Sequence, residues 1–230
     1  MPDLPVFHDC HAHIVKGQRG GFLIALEGRA DLPYMLDNAE VRRQEDRGRL
    51  LFGVPYARCA GHDSGLESAL VKYHARREGY APEWVAQDLA RFPRRIAIVD
   101  TLNAIDWEPR RYLDLAVRYP ATQFVFCHAG GYDIVEFLKM ARFLGNVWLD
   151  FSATQEIFGW VGNRSTLPMV TDAITHALAE PRIAAKVMFG SDTPGFRQSA
   201  AVHELVSRVE DATPFLTGNF ERLVALAGLT

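Results

Sequence analysis

The segment His8-Asp9-Cys10-His11-Ala12-His13 places three imidazoles, a carboxylate and a thiol at the end of an apolar run. Successive side chains of an extended strand face opposite sides, so Asp9, His11 and His13 share a face with Phe7, and His8 and Cys10 take the other. Two imidazoles at i and i+2 on an inward strand end can reach one metal ion, for which imidazole is the commonest ligand. The competing reading is a pair of satisfied core histidines. His8 is read as packed against a helix layer.

Two further apolar runs end in the same kind of chemistry. Phe124-Val125-Phe126-Cys127 leads into His128-Ala129-Gly130-Gly131, where alternation predicts an inward His128 and the glycines let the backbone turn closely over a site. Val187-Met188-Phe189 leads into Gly190-Ser191-Asp192-Thr193-Pro194, and Asp192 is either a helix N-cap or a functional carboxylate. Lys72, His74 and Asp100 close two other runs with matching alternation. Lys16, Arg19 and Arg197 follow the first and last runs and are read as substrate-anion contacts or as solvated loop charges. Phosphate-binding and nucleophile-elbow patterns are absent, His203-Glu204 lacks the second histidine of HExxH, and His62-Asp63-Ser64 are mere neighbours.

The elements that must position these residues alternate between apolar runs and helical periodicity, as repeated βα units do. Candidate strands are Val6–Cys10, Phe22–Leu26, Leu50–Val54, Leu70–His74, Ile96–Asp100, Phe124–Cys127, Val147–Phe151 and Lys186–Phe189. Helical stripes recur at Leu32, Met35, Leu36 and Ala39; at Tyr112, Leu115, Ala116 and Tyr119; and at Ile134, Phe137, Leu138 and Ala141. Further stripes are Val85, Leu89 and Phe92 after Pro82; Val202, Leu205, Val206 and Val209; and Phe220, Leu223, Val224 and Ala227. The expected fold is a compact α/β (β/α)8 TIM barrel spanning residues 1–230 as one domain, with a reduced first βα unit. Its site belongs where the strand C-termini meet the βα loops. An open doubly wound sheet is the alternative, because Ile14–Gly21 leaves no room for a full helix.

The 230 residues are 48% hydrophobic with a formal net charge of −3, so the composition is that of a globular chain able to bury a large core. The scattered basic residues give no footprint for nucleic acid or anionic membrane, which favours a small-molecule ligand. Three widely spaced cysteines make no disulfide framework, and the N-terminus lacks a signal-peptide pattern. A cytoplasmic protein is expected, and a homo-oligomer is compatible with the sequence.

Asp9-x-His11-x-His13, His128-Ala-Gly-Gly and Phe189-Gly-Ser-Asp192-Thr-Pro, followed by Gly218-Asn219-Phe220-Glu221-Arg222-Leu223, resemble the amidohydrolase superfamily, in its branch of amidohydrolase-related hydrolases and decarboxylases. The resemblance runs the length of the chain. It implies that His11, His13 and Asp192 bind a divalent metal, usually zinc, with manganese, iron or cobalt as alternatives. It also implies that Asp192 and His128 are catalytic. Where the family carries a strand-five histidine this chain has Val99-Asp100-Thr101-Leu102, so Asp100 becomes a candidate replacement ligand. Asp9, Lys72 and His74 form a second tier.

Three functions follow as expectations. The leading one is metal-dependent hydrolysis of an amide, ester or lactone-like bond in a small molecule. The second is non-oxidative decarboxylation of a small, aromatic acid on the same metal. The third is a non-catalytic barrel whose metal site has been altered at Asp100.

Overall fold

The computed structural model describes residues 4–26, 35–58, 67–102, 107–152, 168–195 and 197–230. Its strands are β1 (His8–Ala12), β2 (Gly20–Ile24), β3 (Leu51–Val54), β4 (Leu70–Tyr73), β5 (Ile96–Val99), β6 (Gln123–Phe126), β7 (Val147–Asp150) and β8 (Val187–Met188). The helices are α1 (Asn38–Arg43), α2 (Ala75–Glu78), α3 (Pro82–Arg91), α4 (Pro109–Arg118), α5 (Ile134–Phe143), α6 (Pro168–Leu178), α7 (Pro181–Ala184), α8 (Gln198–Val206) and α9 (Asn219–Leu226).

Strands β1 to β3 pair in sequence order, and so do β4 to β8, all in parallel. Both seams between these two sheets are bridged. On one side Lys72 N donates to Pro55 O, and Ala57 N donates to Lys72 O, each at 2.9 Å. On the other, Cys10 N reaches Phe189 O and His13 N reaches Thr193 O, again at 2.9 Å. The ring therefore closes as a barrel, which removes the exposed edges an open sheet would have. The connection from β1 to β2 carries no helix, as the short Ile14–Gly21 segment requires.

Alternation sorts the strand residues into two apolar layers. Cys10, Ile24, Val54, Leu70, Ile98, Val125, Trp148 and Met188 fill the ring. Val71, Val99, Phe126, Leu149 and Phe189 face outward onto Val85, Tyr112, Leu115, Phe137, Val202 and Leu205 of the helices. Each such side chain, when fully buried, contributes about 1.5–3 kcal/mol. Phe220, Leu223 and Val224 of α9 join the inner layer. Phe220 lies 4.9 Å from both His8 and Phe22, so α9 stops the end of the ring where the strands begin. His8 is thus structural, stacked on Phe220 and bonded to Glu221 at 3.0 Å.

Several expected boundaries shift. The first strand begins at His8 rather than Val6, which is largely exposed. The helix expected from Leu32 to Ala39 starts only at Asn38. Asp37 and Glu40 form a reciprocal capping box with two 2.7 Å bonds that fixes the start there. Met35 and Leu36 pack from the preceding loop, and Leu32, Cys59 and His62-Asp63-Ser64 lie outside the described residues. In the stripe of α8, Val206 is exposed and Val209 lies beyond the helix end. Among the described residues no helix is long and apolar enough to cross a membrane.

Candidate metal centre

The two imidazoles of β1 reach the mouth of the ring by a route the alternation does not predict. Phe7 packs outward 5.3 Å from Phe189, and Cys10 packs inside. Asp9, on the outward side with Phe7, accepts from Ser191 Oγ at 2.6 Å, Ser191 N at 2.9 Å and Gln198 Nε2 at 2.7 Å. Strict alternation would send His11 outward with them. A register irregularity between Asp9 and Ala12 turns it inward instead.

Each imidazole is then oriented by its Nδ1. His11 Nδ1 donates to Asp150 Oδ2 at 2.6 Å, and His13 Nδ1 donates to the Ile24 carbonyl at 2.8 Å. Both Nε2 lone pairs are left facing Asp192 Oδ1, at 3.6 Å from His11 and 3.2 Å from His13. Asp192 is held there by its own N–H, which donates to His11 O at 2.7 Å, and by a left-handed backbone at φ 59°. The three donor atoms lie within 4.8 Å of one another. Lone pairs and a carboxylate oxygen converging in this way repel unless a cation lies between them, so the donor set fits a divalent metal ion. His11, Cys127 and Asp150 form a second convergent group, but it is fully buried and Asp150 is committed to His11 Nδ1.

His128 arrives beside His11, with ring centroids 5.1 Å apart. Alternation would have sent it outward, because Phe124 and Phe126 pack on the helices and Val125 and Cys127 fill the ring. A left-handed residue at φ 55° brings His128 inward. Gly130, at φ 87°, continues the turn, and a Cβ there would lie 2.1 Å from the Phe137 ring. His128 Nδ1 is 2.9 Å from Ser152 Oγ, and its Nε2 is 3.5 Å from Asp100 Oδ1.

Asp100 and Lys72 do follow the alternation of Ile96, Ile98 and Leu70. Asp100 is buried, 3.2 Å from His74 Nδ1 and 3.3 Å from Arg76 Nε. It belongs to a cluster with His74, Arg76 and His128 rather than to the convergent group of His11, His13 and Asp192. Lys72 is buried with its Nζ 2.8 Å from Cys127 Sγ. His11, His13, Lys72, His74, Arg76, Asp100, His128 and Asp192 all line one cavity of about 170 Å³.

Charge follows from these contacts. Burial lowers the His11 pKa to about 4, and the Lys72 cation works in the same direction. Burial likewise lowers His74 to about 3, so both rings offer neutral lone pairs at pH 7. Burial works to raise the Asp192 and Asp150 carboxyls, but their imidazole partners outweigh it and hold both below the usual range. For His128 burial lowers the pKa, and the bond to Asp100 with the Asp192 and Asp150 charges reverses the sign. Burial raises Asp9 to about 6 despite four hydrogen bonds, from Ser191 Oγ and N, Gln198 Nε2 and His11 N.

The expected loop cations are not brought together here. Arg19 immediately precedes β2, at the opposite end of the ring, where its N–H donates to Phe7 O. Lys16 and Arg197 are exposed and do not line the cavity. Among the described residues, Arg76 and the buried Lys72 are the Lys/Arg cations that line it. Arg76, Asp150 and Ser152 were not anticipated from the sequence. Asp150 was legible, since it follows the inward Trp148 by two residues at the end of β7.

His11, His13 and Asp192, whose donor atoms fit a divalent ion, thus sit at the C-terminal mouth of a closed parallel barrel. The chain belongs to the amidohydrolase family, whose model matches residues 102–216, half of its length. That stretch carries His128, Asp150 and Asp192, whereas His11 and His13 precede it. No curated protein matches the chain by sequence. Among solved structures, an uncharacterized TIM-barrel protein from Bordetella bronchiseptica is similar over 91% of this chain and 78% of its own, with TM-score 0.66 and 16% identity. A probable 2-pyrone-4,6-dicarboxylic acid hydrolase from Acinetobacter baumannii is similar over 96% and 99%, with TM-score 0.53 and 15% identity. Amidohydrolase 2 from Bifidobacterium longum subsp. infantis is similar over 99% and 100%, with TM-score 0.51 and 13% identity. At these identities the likeness is one of fold.

Proposed function

We propose that the chain is a metal-dependent hydrolase that cleaves an amide, ester or lactone-like bond of a small molecule with water. The observation carrying this reading is the convergence of His11 Nε2, His13 Nε2 and Asp192 Oδ1 on the cavity wall, both rings oriented from behind. His11, His13 and Asp192 would hold the ion, with zinc as the first candidate and manganese, iron or cobalt as alternatives. A divalent ion supplies Lewis acidity toward water and toward a carbonyl oxygen.

The protein groups divide the remaining work. Asp192, ionised and partly open to the cavity, accepts the proton of the attacking water and returns it to the leaving group. His128, whose protonated form the Asp100 contact favours, donates toward the oxygen on which charge develops. Arg76 meets an anionic substituent of the substrate, in place of Lys16, Arg19 and Arg197.

The test is a panel of small amides, esters and lactones, scored for acid released by the purified protein. Turnover should vanish on chelation and return with zinc or manganese. Carbon dioxide in place of the hydrolytic acid would identify a decarboxylase, and a protein that binds no metal would be a non-catalytic barrel.

A further inference from the structure

We propose that Lys72 and Cys127 form a redox modification site, in which dioxygen joins the lysine Nζ to the cysteine Sγ through a single bridging oxygen atom. The two atoms lie 2.8 Å apart. That is the separation of an ordinary N–H···O bond, although sulfur is the larger atom. Both residues are buried, Lys72 at 1% and Cys127 at 0% exposure, so neither side chain is free to swing away.

The ring itself enforces the pairing. Lys72 pairs in register with Ile98, and Ile98 with Val125, which places Cys127 one inward position further toward the mouth. A buried structural thiol is ordinarily inert. Here an amine is in contact with it, and Lys72 lines the cavity, which gives a small oxidant a way in. The hydrolase proposal gives Cys127 no part.

The step balances with dioxygen as oxidant. The lysine ammonium first releases one proton to solvent through the cavity it lines; one S–H and two N–H bonds then hold three hydrogens, the S–H and one N–H break, and S–O and O–N bonds form. One oxygen atom remains in the bridge and the other leaves as water with the two hydrogens. Sulfur and nitrogen each give up two electrons, and dioxygen takes up four. The product ties β4 to β6 across β5 and replaces a cation beside Asp100 with an uncharged nitrogen.

The experiment compares wild-type protein reduced with dithiothreitol without oxygen and the same protein held in air-saturated buffer. Intact mass should rise by about 14 Da, one oxygen gained and two hydrogens lost, and dithiothreitol should reverse it. Tryptic digestion should then yield a joined pair of peptides, one carrying Lys72 and the other Cys127. Cys127→Ser and Lys72→Arg should each abolish the joined pair, but the wild-type measurement decides alone if either variant fails to fold. An unchanged mass overturns the proposal. So does a gain of about 16 Da on one unlinked peptide, or a loss of about 2 Da with Cys127 joined to another cysteine. The readout is mass, so it stands or falls separately from hydrolytic activity.

Discussion

Asp150 Oδ2 lies 2.6 Å from Nδ1 of His11, a contact that spans 139 positions of the chain and sets which nitrogen of that ring faces the cavity. The carboxylate fixes the proton on Nδ1 and leaves the Nε2 lone pair open to the cavity. A second acceptor oxygen of Asp150 is satisfied by Ser152 N at 2.5 Å, so the group is locked on both sides.

Replacing Asp150 should therefore act through His11. Asp150→Asn keeps the volume but lets the ring choose the other tautomer, and metal affinity should fall by about 10- to 100-fold. Competitive titration with a chromogenic chelator measures this directly. Wild-type affinity in the variant would leave Asp150 a packing residue.

The convergent donors themselves should dominate metal content. The chain should purify with about one divalent ion, and His11→Ala combined with His13→Ala should remove it, as elemental analysis would show. Full occupancy in the double variant would place the ion elsewhere. Asp192→Asn retains an oxygen donor and loses the base, so turnover should fall by about 10²-fold or more.

Asp100 should behave differently from a ligand. It contacts His74, Arg76 and His128, so Asp100→Asn should leave metal content unchanged while turnover falls by about 10-fold or more. A parallel loss of metal would return Asp100 to the coordination sphere.

Gly130 supports the turn that delivers His128. Gly130→Ala must accept a positive φ and a Cβ pressed against Phe137, so the fold should lose about 1–3 kcal/mol in urea unfolding. Unchanged stability would mean that the turn relaxes without cost.

At the other end of the ring, burial lowers the His8 pKa below 6.5, and the Glu221 contact offsets only part of this. The unfolded chain binds the proton more readily there, so His8 costs stability progressively as pH falls below 6.5. Wild type should lose stability relative to His8→Gln between pH 7.5 and 5.5. Parallel urea midpoints across that range would contradict the assignment.

The sequence by itself determined the order and direction of the strands, the missing first helix and the layer of the β4 and β5 residues, whereas the layers expected for Phe7, Cys10, Phe124 and Phe126 are reversed. Hydrophobic alternation is local, and it carried Lys72, Asp100 and, had it been extended, Asp150 to the inner face. Closure of the ring was not contained in any segment, because it depends on backbone bonds between Cys10 and Phe189 and between Lys72 and Pro55. His11 and His128 were expected to face inward for the wrong reason. Each sits one residue past an inward neighbour, Cys10 or Cys127, where a regular strand would point it outward. A register irregularity at β1 and a left-handed residue after β6 reverse that direction. Such departures cost backbone energy that only surrounding contacts can offset. Those contacts, from Asp150, Ser152 and Asp100, exist only once the strands have assembled.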